Sequence, residues 1–100
     1  MTVDRDKVLT ALRAKREEIE RRYGLRMIGI VGSVARGEAT EESDIDIVAD
    51  ITGRPTLFSL SRAERELEQA VGVGLPVEIV LREDMRPSGR ELIERDLLLL

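Results

Sequence analysis

Asp44 and Asp46 stand one residue apart, and the pair Gly32-Ser33 precedes Asp44 with ten residues between. In an extended strand, side chains two residues apart point the same way, with Cα atoms about 6.5 Å apart. Two carboxylates on one side of a sheet repel and lose hydration unless a cation sits between them. Magnesium takes one or two carboxylates and completes its shell with water and phosphate oxygens. An Asp-x-Asp flanked by Ile45 and Ile47 therefore suits a divalent-metal site. The simpler reading is two exposed acids on an edge strand.

Gly32-Ser33-Val34-Ala35-Arg36-Gly37 follows directly on the apolar run Met27-Ile28-Gly29-Ile30-Val31. A glycine turn after a strand lets backbone amides approach a phosphate closely. Ser33 adds a hydroxyl, and Arg36 adds a guanidinium matched to bidentate phosphate binding. Each residue has a plainer reading. The glycines serve any turn, and Arg36 equally suits a surface ion pair with Glu38 or Glu41. Ser43 either touches a nucleotide or makes a local turn bond. Together, strand, Gly-Ser turn, loop and Asp-x-Asp describe an anion cradle facing a metal site, the needs of a nucleoside triphosphate. Neither G-x-x-x-x-G-K-[ST] nor G-x-G-x-x-G is present.

Composition narrows the chemistry further. The chain of 100 residues has no Cys and no His, which excludes thiolate nucleophiles, Ser-His-Asp triads and His-ligated metals. A net charge of -4 disfavours direct nucleic-acid binding, and Tyr23 and Phe58 alone supply no base-stacking platform. The opening residues are too charged for a signal peptide, and no apolar run approaches the ~20 residues that span a bilayer. The expectation is one cytoplasmic domain over residues 1–100, with no membrane contact.

The elements that must position these residues alternate. Asp4–Tyr23 reads as a helix with Val8, Leu12, Ile19 and Tyr23 near one face and the Lys15 stem filling a gap. Asp4 caps its start and Gly24 closes its end. Arg26–Val31 reads as a buried strand, and Asp44–Ala49 as a second strand with Ile45, Ile47 and Ala49 on one face and Asp44, Asp46 and Val48 on the other. Asp50–Pro55 reads as a loop with Asp50 solvated. Ser59–Val71 reads as a helix with Ser61-x-x-Glu64 as a capping box, although Phe58 and Leu60 suggest an earlier start. Pro76–Leu81 is a third strand, and Ser88-x-x-Glu91 caps a last helix, Gly89–Leu97. The fold class is α/β (α+β), a small mixed sheet of about three strands with helices packed on it. Leu97–Leu100 is either an apolar partner or self-association surface, with a homo-oligomer as one outcome, or the last helical turn packed on the core.

The run from Gly32 to Gly37 and on through Ser43-Asp44-Ile45-Asp46 resembles the signature of the nucleotidyltransferase superfamily that includes DNA polymerase beta. The short chain resembles its minimal nucleotidyltransferase (MNT) group, many of whose members are antitoxins paired with HEPN-domain toxins. The resemblance extends from the first helix to the last. It implies three carboxylates, Asp44, Asp46 and a third on a later strand, where this sequence carries Glu78 in place of the usual aspartate. It implies two Mg²⁺ ions held by these three residues and phosphates held by Gly32, Ser33 and Arg36, with Ser43 close by. It further implies transfer of AMP from ATP to a tyrosine hydroxyl of a HEPN toxin. The glutamate leaves room for a rival, an antitoxin that acts by binding alone. A small-molecule nucleotidyltransferase and a nucleotide-free dimeric scaffold also stay open as readings of the chain.

Overall fold

The computed structural model describes residues 3–100. Its elements are α1 (Arg5–Tyr23), β1 (Leu25–Val31), α2 (Gly32–Ala35), β2 (Ile45–Ile51), α3 (Leu57–Val71), β3 (Val77–Leu81), α4 (Pro87–Asp96) and β4 (Leu98–Leu99), with a 3-10 turn at Arg82–Asp84. Asp4 starts α1 by accepting hydrogen bonds from the N–H groups of Asp6 and Lys7. Gly24 ends it in the left-handed region at φ 68°. A side chain at Gly24 would also strike the turn after β2, since its Cβ would lie 2.8 Å from the Gly53 Cα.

The sheet has four strands in the order β3-β2-β1-β4. β1 runs antiparallel to β2 and β4, whereas β2 and β3 are parallel. A parallel pair needs a crossover, and α3 supplies it. Ile45, Ile47 and Val77 join Val8, Leu12 and Ile19 of α1 and Ala63 and Leu67 of α3 in one buried cluster. The opposite face of the sheet carries Asp46, Val48 and Glu78, and α4 lies over it with Ile93 buried.

Several local features differ from the expectations. β1 contains a bulge at Ile28, because Met27 pairs with Ala49 and Gly29 with Val48. The extra residue lets Leu25, Met27 and Ile30 all reach the same core despite their mixed parity. α3 begins at Leu57, capped by the Thr56 hydroxyl accepting from the Ser59 N–H, so Ser61 and Glu64 do not form the box. α4 begins at Pro87 with no side-chain cap, so Ser88 does not cap it either. The terminal leucines form neither a helical turn nor a free tail. Leu98 and Leu99 pair with Ile30 and Gly29, Leu98 and Leu100 pack on the core, and Leu99 faces solvent.

Asp50 is not in a loop. It lies on β2, half-buried, and accepts from the Arg82 Nε at 2.9 Å and the Arg82 Nη2 at 2.5 Å. Glu64 and Glu68 have a task that a capping box would not give them. They are one turn apart on α3, and their carboxylates accept from the N–H groups of Ile79 and Val77 at 2.8 and 2.9 Å. These are outward amides of an edge strand, which otherwise invite pairing with another chain. A charge-assisted hydrogen bond to backbone contributes about 1.5–3 kcal/mol. Glu64→Ala and Glu68→Ala are each expected to lower stability by about that amount, and the Gln variants by less, because an amide oxygen still accepts. Urea unfolding midpoints check this, and alanine variants with unchanged midpoints would contradict it.

Candidate active site

The site begins with strand register. Val31 on β1 pairs with Asp46 on β2, and Asp46 pairs with Glu78 on β3. Neighbouring strands lie about 4.8 Å apart, so the Asp46 and Glu78 side chains leave the same sheet face side by side. The parity expected for β2 holds, with Ile45, Ile47 and Ala49 buried and Asp46 turned to the other face. Asp44 lies just before the strand and is exposed.

The chain leaves β1 at Val31 and turns at once into α2 through Gly32, whose φ is 82°. A Cβ at this position would sit 2.7 Å from the Asp46 Oδ2. Glycine therefore answers two demands here, a left-handed backbone and passage of the main chain across a carboxylate. Ser33 is half-buried beside it, and its hydroxyl has no hydrogen-bond partner among the described residues. Val34 and Ala35 are buried and anchor the turn to the core.

Arg36 is exposed at the end of this turn and is engaged by two carboxylates. Its Nε donates to Glu38 at 3.1 Å and its Nη1 to Asp96 at 3.0 Å. The ion pair with Glu38 is present, whereas Glu41 is not a partner. The Ser43 hydroxyl accepts from the Thr40 N–H at 3.0 Å, a local turn bond. Ser43 does not line the cavity described next.

That cavity, of about 410 Å³, is bounded by Gly32, Arg36, Asp46, Glu78, Ile93 and Asp96 among others. A second cavity of about 440 Å³ shares Ile93 and lies toward the Asp50–Arg82 pair. It is slightly larger, but it lacks the paired acids and the glycine turn. Burial, then the charges of Glu78 and Asp44, push the Asp46 carboxyl above its ordinary range. A cation placed beside these carboxylates would offset both the burial cost and the mutual repulsion. Among the described residues no three acidic side chains stand close enough to form a ready cation cage. The donor set fits magnesium as carboxylates plus phosphate oxygens, not as an all-protein shell.

Residues 12–100 match the nucleotidyltransferase domain family. The chain belongs to that family. It is 33% identical over 91 residues to the protein adenylyltransferase MntA of Thermococcus cleftensis, covering 91% of this chain and 90% of that protein. A solved structure provisionally described as a minimal nucleotidyltransferase superposes with a TM-score of 0.70 at 36% identity, covering 92% of this chain and 95% of that one. A toxin–antitoxin structure with AMP-PNP shares the fold, with a TM-score of 0.66 at 18% identity over 97% of this chain and 72% of that one. The protein is therefore a nucleotidyltransferase of the minimal type, with the α/β architecture expected and a short fourth strand added. No helix among the described residues is long and apolar enough to cross a membrane.

Sequence reasoning missed α4 as a wall of this nucleotidyltransferase cavity and Asp96 as a partner of Arg36. The local signal was the apolar pair Leu92-Ile93 in an otherwise polar segment.

Asp46 supplies a pH prediction. Its folded carboxyl binds protons more readily than its unfolded one, so stability falls as pH rises from the ordinary carboxylate range through its raised folded value. Asp46→Asn is expected to melt higher than the parent at pH 7, with the gain shrinking as pH falls below that window. Mg²⁺ is expected to raise the melting temperature of the parent and not of Asp46→Asn. A parent insensitive to Mg²⁺, or a variant that melts lower at pH 7, would contradict this reading.

Proposed function

We propose that this minimal nucleotidyltransferase is an antitoxin that transfers AMP from ATP to a tyrosine hydroxyl of a cognate HEPN-domain toxin in the cytoplasm, without contacting nucleic acid. The observation that carries the reading is the side-by-side placement of Asp46 and Glu78 beneath Gly32, at the edge of an open cavity. The Thermococcus relative named as a protein adenylyltransferase and the fold shared with toxin–antitoxin structures support it.

The acceptor oxygen attacks the α-phosphorus, the bond from that phosphorus to the β-bridging oxygen breaks, and pyrophosphate leaves. Two Mg²⁺ ions, when bound, stabilise the attacking and leaving oxygens. Asp44 and Asp46 would hold them, with Glu78 completing the acceptor side. Glu78 would also favour deprotonation of the acceptor hydroxyl. It departs from the usual aspartate by one methylene, and its exposed position on β3 gives the longer arm room. The backbone amides of Gly32 and Ser33, with the Ser33 hydroxyl, would hold the departing phosphates, and Arg36 would offer charge beside them. Ser43, fixed in its turn by the Thr40 N–H, would stand close by. None of these groups is a covalent nucleophile, in keeping with a chain lacking His and Cys.

One observation favours a second reading, neutralisation by binding alone: the carboxylates do not form a ready cage. Incubation with ATP labelled at the α-phosphate, Mg²⁺ and a HEPN-domain toxin separates the two. The proposal expects label on the toxin, and Asp44→Ala and Asp46→Ala each to reduce its transfer by at least about 100-fold, of the order seen when a key electrostatic group is removed. Full neutralisation by both variants with no label transferred by the parent would establish the binding mode instead.

A further inference from the structure

Asp96 is the last residue of α4, and the chain passes from it through Leu97 directly into β4. Its position is fixed from two sides. The Leu97 N–H donates to the Ile93 carbonyl at 2.7 Å, closing the helix. Leu98 then pairs with Ile30 on β1, the strand that leads into Gly32. A Cβ at Gly29 would lie 2.4 Å from the Leu98 carbonyl oxygen, so the two strands approach closely there. The result is a carboxylate delivered to the mouth of the cavity, half-buried at 24% side-chain exposure and bonded to the Arg36 Nη1.

An arginine has five N–H donors in a rigid planar fork. Glu38 takes Nε and Asp96 takes Nη1, and the two Nη2 hydrogens have no partner among the described residues. Two fixed bonds define the plane of the fork. They restrict the rotamers of a long side chain before any ligand arrives, so less entropy is lost on binding. Arg36 and Asp96 both line the cavity that contains Asp46 and Glu78.

We infer that Asp96 is a positioning residue for nucleotide binding: it holds the Arg36 guanidinium at the cavity mouth with Nη2 open to a phosphate of the incoming nucleoside triphosphate. This rests on the nucleotidyl-transfer reading of the same cavity. The competing physics is that Asp96 occupies the guanidinium and holds phosphate off, so that losing it would tighten binding.

A double-mutant cycle distinguishes the two. Calorimetric titration with Mg²⁺–ATP is carried out on the parent, Arg36→Ala, Asp96→Ala and the double variant, with melting temperatures recorded for each. Positioning predicts that Asp96→Ala weakens binding about tenfold, as does Arg36→Ala, roughly 1.4 kcal/mol each. It predicts that the double variant binds no more weakly than Arg36→Ala alone, and that Asp96→Glu restores binding to within about threefold of the parent. Tighter binding by Asp96→Ala would overturn the inference in favour of competition. A loss that persists undiminished in the Arg36→Ala background, tracking melting temperature, would overturn it in favour of a structural role. Unchanged affinity in Asp96→Ala with a parent that binds overturns this inference alone. A parent that binds no Mg²⁺–ATP overturns the nucleotidyl reading and this inference with it.

Discussion

Two carboxylates held side by side on adjacent parallel strands are the constraint on which the rest of this protein turns. Asp46 and Glu78 share a register position, and burial and neighbouring charge already push the Asp46 carboxyl upward. Such a pair is an unfavourable arrangement for a fold taken alone. A chain of 100 residues has little stability to spare. The arrangement persists because the surrounding elements fix it. β2 and β3 are parallel, α3 crosses between them, and its Glu64 and Glu68 hold the amides on either side of Glu78. Ile45 and Ile47 of β2 point to the opposite face, where α1 and α3 cover them. One register thus serves both the core and the acid pair, and a slip of one residue would invert both.

The second constraint is the approach of main chain to charge. Gly32 lets the turn after β1 pass within reach of the Asp46 carboxylate, a place where any Cβ would collide. Gly32 and Arg36 border the same cavity as the acids. Positive potential from backbone and Arg36, set against negative potential from Asp46 and Glu78, matches a metal-bound polyphosphate better than either alone. The matching of residues 12–100 to the nucleotidyltransferase domain family agrees with this chemistry.

Much of this arrangement was legible in the sequence because it is written in short-range patterns. The Asp4 and Gly24 caps, the alternation of β2 and the Gly-Ser to Asp-x-Asp spacing each span a few residues and obey local geometry. The placement of Glu78 beside Asp46 was legible through the family resemblance, not through periodicity. What escaped depends on partners far along the chain. The Arg82–Asp50 and Arg36–Asp96 pairs join residues 32 and 60 positions apart, and no local pattern announces them. The bulge at Ile28 was hidden because an unbroken apolar run has no parity to break. Leu97–Leu100 was ambiguous for the same reason, and only pairing with β1 makes Leu98–Leu99 a strand. Ser61-x-x-Glu64 misled because Glu64 is drawn instead to the edge of β3.

The most direct measurement is a crystal structure of the protein with Mg²⁺ and a non-hydrolysable ATP analogue. The account predicts metal coordinated jointly by Asp46 and phosphate oxygens, with Glu78 on the acceptor side and the triphosphate lying along the Gly32–Ser33 amides. Nucleotide bound in the cavity near Asp50 and Arg82, or phosphates distant from the Gly32 turn, would contradict it.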